Sequence, residues 1–112
     1  MSTYSLVIHG GAGTILKKDM TGEMEAAYKK ALEDALDAGY VLLEQGRSAV
    51  EAVLAATMSL EDNSLFNAGK GSVFAKDGSQ EMDASVMDGK TLMAGAVAAV
   101  RNIRNPVELA YA

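Results

Sequence analysis

Two carboxylates, Glu81 and Asp83, are the side chains whose types and spacing point most directly to acid–base chemistry. On a strand they project from one face, about 6.6 to 7 Å apart by the strand rise, near the separation of an inverting carboxylate pair. The wet face of an antiparallel strand has the same alternation, and the residues alone favour that simpler reading. His9 is the single histidine, and there is no cysteine. Multi-histidine metal sites, thiolate-held zinc and thiolate nucleophiles are therefore excluded, and a Ser-His-Asp triad would have to use His9. Without a partner motif, His9 is more simply a hydrogen-bonded structural residue. The turn Gly10-Gly11-Ala12-Gly13 follows an apolar run. It lacks the third glycine of a dinucleotide cradle, and Lys17-Lys18 stand where the cradle's helix should begin. In Asn67-Ala68-Gly69-Lys70-Gly71-Ser72 the residues that follow read as a strand, so the helix N-terminus of a phosphate loop is missing. An irregular loop at a helix C-terminus, as expected over residues 61–71, turns carbonyls inward and suits a hard cation such as sodium or calcium. A plain surface loop explains those residues as well. Ser2 would carry both a hydroxyl and a free α-amine if Met1 were removed, but its neighbours supply no oxyanion donors.

The elements that must position these residues follow from periodicity. Residues 4–8 are apolar and end in the glycine turn, which predicts a buried first strand. Over residues 23–45 apolar or small residues recur at helical spacing, with Thr21 as cap, Gly46 as terminator and a length of about 34 Å. Gly39 inside that helix costs about 1 kcal/mol relative to alanine, so it predicts a close approach by a neighbour. Ser48 and Glu51 form a capping-box pattern ahead of a second helix running to about Leu60. The period then changes to two: strands at 72–75, 80–87 and 92–100, joined at Asp77-Gly78 and Asp88-Gly89, read as a meander. The small residues around Gly95 predict a strand packed closely on both faces. Asn105-Pro106 places a cap and an N1 proline before a last short helix. The methionines at periodic positions, Met24, Met58 and Met82 among them, read as packing. A helix of barely two turns at Ala112 needs tertiary support, so a fragment is expected, its sheet completed by further chain.

Length and composition agree with a packed domain. At 112 residues there is room for one core, and hydrophobic residues at 49% with charged residues at 22% oppose disorder. A formal charge of −5 has the wrong sign for a phosphate-binding surface. Neither a signal peptide nor a membrane span is expected at the N-terminus, so a soluble, cytoplasmic chain is anticipated.

Five segments acquire a joint meaning: His9-Gly10-Gly11-Ala12-Gly13-Thr14-Ile15; Leu65-Phe66-Asn67-Ala68-Gly69-Lys70-Gly71-Ser72; Glu81-Met82-Asp83-Ala84-Ser85-Val86-Met87-Asp88-Gly89; Gly95-Ala96-Val97-Ala98; and Asn105-Pro106. In order and spacing, across nearly the whole chain, they resemble the plant-type L-asparaginase or isoaspartyl aminopeptidase family of N-terminal nucleophile hydrolases.

That resemblance implies an α+β fold, here a partial αββα sandwich with helices packed on an antiparallel sheet. Residues 1–112 would be a single domain, the N-terminal portion of an α-subunit whose chain ends inside a helix. In such proteins one precursor cleaves itself, and the new N-terminal threonine of the β-subunit attacks the side-chain amide of L-asparagine or the bond of an isoaspartyl dipeptide. The nucleophile, the substrate clamps and the oxyanion donors have no counterpart here, so this chain alone is expected to be inactive, with no catalytic residue and no catalytic cofactor. What carries over is a loop at 60–70, whose main-chain carbonyls at Leu60, Glu61, Asn63, Phe66, Ala68 and Lys70 match a structural sodium site. Asn67 matches an asparagine near the absent nucleophile. The implied partners are the remaining α-segment and the β-subunit, in an (αβ)2 assembly, with neither nucleic acid nor membrane. The alternative is a non-enzymatic scaffold or interaction module with the same layout.

Overall fold

The computed structural model describes residues 3–11, 18, 20–66, 68–71 and 81–112. The strand expected at 72–75, the Asp77-Gly78 turn, Ser2 and Asn67 lie outside the described residues. The elements are α1 (Gly22–Glu44), α2 (Ala49–Glu61), β1 (Met82–Met87), β2 (Ala94–Val100) and α3 (Pro106–Tyr111), with a 3-10 turn at Gly69–Gly71 between α2 and β1. The class is α+β: a helical pair, and a two-stranded antiparallel sheet against which α3 packs.

Local signals set the helix ends. The Thr21 hydroxyl accepts from the Met24 N–H at 3.0 Å, and Glu23 and Glu25 occupy the positive end of α1. Gly46, at φ +78°, closes α1: its N–H returns to the Leu43 carbonyl and that of Arg47 to the Leu42 carbonyl, the paired bonds of a Schellman stop. Ser48 caps α2 by accepting from the Glu51 N–H at 3.2 Å, and its hydroxyl donates to the Glu51 carboxylate.

Small residues bring the two helices together. Ala31, Ala35 and Gly39 recur every fourth position on α1 and are buried, as are Ala52 and Ala56 on α2. A Cβ on Gly39 would lie 2.8 Å from the Ala52 carbonyl oxygen and 2.8 Å from Leu6 Cδ2, so the close approach expected there is present. The gain is dispersion from backbone-level contact, with the larger Leu32, Leu36, Leu42 and Leu43 half-buried.

Residues 4–8 differ from the buried strand expected of them. They carry no strand pairing; Tyr4, Leu6 and Ile8 are half-buried, whereas Val7 is 86% exposed. Side-chain packing on α1 holds this segment, with the Tyr4 ring edge-on to Tyr40 at 5.4 Å.

The hairpin differs in its turn. Asp88 takes the Lys90 N–H on Oδ1, and its carbonyl accepts from the Leu92 N–H at 2.7 Å. Leu92 sits at φ +63°. An Asx-type turn at Asp88 thus lengthens the connection from the expected 88–91 to 88–93, and β2 starts at Ala94 instead of at Leu92. The register also slips between Met82, opposite Val100, and Ala84, opposite Val97. Ala99 occupies this bulge at φ +51°. One face of β2 is half-buried, at Gly95, Val97 and Val100, while Ala94, Ala96 and Ala98 are exposed. Close packing on both faces, as expected from composition, therefore holds on one face only. There a Cβ on Gly95 would overlap the Ala110 carbonyl oxygen of α3.

Gly39→Ala separates these effects. Helix propensity alone would stabilise by about 1 kcal/mol, but overpacking against the Ala52 backbone costs about 1–3 kcal/mol. The urea midpoint of Gly39→Ala is expected to fall, while Gly22→Ala, with nothing within 4 Å of the new Cβ, holds or rises. A midpoint raised by both would contradict the close approach.

Candidate functional site

The loop that leaves α2 is built around Glu61. This last residue of α2 is 3% exposed and is the one buried charged side chain among the described residues. A glutamate at a helix C-terminus faces the negative end of the macrodipole, and Asp62 follows it, so it requires donors from elsewhere. α3 supplies them. Glu61 Oε2 accepts from the Val107 N–H at 3.0 Å, and Oε1 accepts from Asn105 Nδ2 at 3.2 Å. Asn105 was expected to cap α3 with its side chain; instead its amide spans Glu61 and Asp62 and makes no cap. The cap arrives from α2, because a carboxylate at the positive end of α3 is stronger than a neutral amide and pairs two helix termini that each lack partners. Arg104 joins from the surface, its guanidinium donating to both Asp62 oxygens at 3.3 and 3.4 Å.

Burial pushes the Glu61 carboxyl above the ordinary value of 4.5. The Val107 N–H and the Asn105 amide pull it down, and the charges of Asp62 and Glu108 add to the rise.

The main chain of Glu61 is covered from the opposite side. Gly69, at φ +48°, returns so closely that a Cβ there would lie 2.6 Å from the Glu61 carbonyl oxygen and 2.7 Å from its Cβ. Only glycine fits, on both the dihedral and the space. Inside the loop, Asn63 Oδ1 accepts from the Leu65 N–H at 2.9 Å, the Leu60 carbonyl from Asn63 N–H and the Asn63 carbonyl from Phe66 N–H. Phe66, 5% exposed, packs edge-on to Tyr28 at 5.9 Å and lies 3.1 Å from where a Cβ on Gly10 would stand. Phe66 and Leu32 thus crowd Gly10, and Gly11 stands at φ +116°. His9 itself is exposed, its Nδ1 accepting from the Gly11 N–H.

Main-chain carbonyls at a helix end are donors that could hold a hard cation. α2 ends without a basic residue in its last turn, leaving the carbonyl end of its dipole to be balanced. Gly69 lies so close to the Glu61 main chain that a Cβ there would overlap its carbonyl oxygen. Among the described residues no cluster of three or more His, Cys, Asp or Glu is arranged for a metal. Leu60 and Glu61 end α2, and Asn63, Phe66, Ala68 and Lys70 follow in the loop that leads to the 3-10 turn at Gly69–Gly71. Asn67 cannot be placed, as it lies outside the described residues.

The carboxylate pair is not assembled for hydrolysis. Glu81 pairs with Arg101 across the hairpin, and Asp83 Oδ1 accepts from the Ala99 N–H at 2.7 Å, pinning the bulge. These are ladder contacts. Sequence reasoning missed the Glu61 side chain, though an acidic pair at a helix C-terminus was a signal available to it.

Comparison with known proteins gives the family of the chain. The sequence model of the family described as asparaginase matches residues 2–112. The chain belongs to the asparaginase family. It is 48% identical over 107 residues to an isoaspartyl peptidase of Salmonella typhimurium, covering 96% of this chain and 34% of that protein. An isoaspartyl peptidase/L-asparaginase of Xenopus laevis is 50% identical over 105 residues, with 94% and 32% covered. A plant-type L-asparaginase of Pyrobaculum calidifontis is 49% identical over 108 residues, with 96% and 35% covered. The chain spans about a third of the length of these curated relatives.

The raised Glu61 carboxyl has a pH signature. Its folded value exceeds the unfolded one, so the folded state binds the proton more tightly and the contribution of this group to stability falls as pH rises above 4.5. The melting temperature of the wild type minus that of Glu61→Gln is expected to decline across that rise and then level off. A difference that grows with pH would reverse the assignment.

Proposed function

We propose that residues 1–112 form the N-terminal part of the α-subunit of a threonine-nucleophile amidohydrolase acting on L-asparagine and isoaspartyl dipeptides. The observation that carries this reading is the match running through residues 2–112, together with relatives named for those activities. The complete fold would be an αββα sandwich of the N-terminal nucleophile type, with the hairpin and α3 described above as part of its sheet and helix layers.

In this reading the reactive threonine comes from a β-subunit produced by self-cleavage. Its hydroxyl adds to the side-chain carbonyl carbon of the substrate, with its own α-amine taking the proton. The C–N bond then breaks, the proton passes to the leaving nitrogen, and ammonia or the following peptide departs. Water resolves the ester to release aspartate.

The described residues support that centre without entering it. Carbonyls of Leu60, Glu61, Asn63, Phe66, Ala68 and Lys70 would hold sodium, a structural ion that stiffens the loop carrying Asn67 toward the nucleophile. The working unit would be an (αβ)2 assembly in the cytoplasm. Among the described residues no helix is long and apolar enough to cross a membrane.

The reading is tested by joining residues 1–112 to the two-thirds of the Salmonella typhimurium isoaspartyl peptidase that has no counterpart here. The joined polypeptide is expected to release ammonia from L-asparagine and aspartate from an isoaspartyl dipeptide, while residues 1–112 alone do neither. Turnover by the 112-residue chain unaided, or none by the joined protein once folded and cleaved, would defeat it.

A further inference from the structure

We propose that the Glu61 side chain is a positioning residue for the loop at 60–70. By gripping the N-terminus of α3, it sets where its own carbonyl stands, and so sets the shape of the cage that this carbonyl helps to form. The inference rests on the reading of that loop as a sodium cage, and adds to it a role for a carboxylate that touches neither ion nor substrate.

The argument starts from the two faces of one residue. On the side-chain face, Oε1 and Oε2 are fixed by Asn105 Nδ2 and the Val107 N–H at 3.2 and 3.0 Å. On the main-chain face, Gly69 is seated against the carbonyl oxygen, Cα and Cβ, at 2.6, 2.9 and 2.7 Å from its own hypothetical Cβ. Two methylenes separate these faces, and with the carboxylate held by α3 and the main chain pressed by Gly69 the last turn of α2 is fixed at both ends. Releasing the carboxylate frees that turn to shift, and with it the atoms on which Gly69 rests.

The other end of the grip is anchored independently. Pro106 and Val107 are buried, and Ala110 of the same helix is pressed against Gly95 on β2. α3 is thus a fixed post seated on the hairpin, and Glu61 is the link from the post to the loop. Asp62, with Arg104 and the second contact of Asn105, guards the outer side of the link but reaches only surface groups.

A cage of carbonyls binds a cation well only if several oxygens are held at one distance from one point, so a shift in one donor weakens affinity disproportionately. Truncating the carboxylate should therefore show first in ion affinity. Merely structural damage elsewhere should lower stability and leave ion affinity alone.

The experiment uses the joined, active polypeptide described above, with sodium titrated against choline at constant ionic strength. Stabilisation by the ion is followed as a rise in melting temperature, and binding is checked by sodium-23 NMR. The variants are Glu61→Ala, Glu61→Gln, and Ala35→Gly as a lesion in the α1–α2 contact. Glu61→Ala is expected to raise the half-saturating sodium concentration at least tenfold. Glu61→Gln keeps an acceptor for the Val107 N–H and should stay within about threefold of wild type, and Ala35→Gly should not shift it. At saturating sodium the kcat of Glu61→Ala should recover toward wild type with KM unchanged. Equal sodium affinity in Glu61→Ala and wild type would overturn the positioning role alone. A wild-type protein indifferent to sodium by both readouts would overturn the cage and the role together.

Discussion

A buried carboxylate joining two helix ends is the constraint on which the rest of this chain depends. Glu61 is desolvated, and leaving its charge without donors would cost several kcal/mol. Its donors are the Val107 N–H and the Asn105 amide, both at the start of a helix of only six residues. Neither party is stable alone: α3 is too short to form unaided, and Glu61 opposes the dipole of its own helix. Together each supplies what the other lacks. The result ties residues 46 positions apart and fastens the helical pair to the hairpin.

Close backbone contact supports that joint from three directions. Gly39 lets α1 meet the Ala52 carbonyl, Gly69 lets the loop lie on Glu61, and Gly95 lets β2 meet the end of α3. Each is a place where one added methyl group would collide with main chain, and at Gly39 with the Leu6 side chain as well. Interiors packed at this density transmit displacement instead of absorbing it. The loop after α2 thus inherits its geometry from both the helical pair and the hairpin.

Much of this was legible in the sequence, and the misses share a cause. The ends of α1 and α2 were readable because Thr21, Gly46 and Ser48 act on neighbours within four residues. The crowding at Gly39 was readable because glycine in a helix interior is costly without a reason. The Asp88 turn was misjudged in length because its side chain captures the Lys90 N–H, a choice that competes closely with a tight hairpin turn. Residues 4–8 were misjudged because periodicity reports an apolar face but not whether a strand or a helix will cover it. Asn105 was misjudged because its cap was displaced by a carboxylate 44 positions away. Local rules could not see that partner. For the candidate site, the six carbonyl positions rest on resemblance alone, whereas the contact of Glu61 with Asn105 and Val107 is a tertiary fact that no local rule could reach.

The division of labour within the chain follows from what its polar side chains are already doing. Glu81 is committed to Arg101, Asp83 to the bulge at Ala99, Asp88 to its turn, Glu61 to Val107, and His9 to Gly11. Glu81 holds a side chain across the hairpin and the others hold backbone in place, and a group so held is a poor general acid or base, since proton transfer would break the contact that fixes it. In the proposed reading, what the described residues offer the reaction is main-chain oxygen at the end of α2. Carbonyl dipoles do not titrate, and their worth depends wholly on being held still. In that reading the glycines, caps and one buried charge pointed at a distant helix serve to hold those carbonyls.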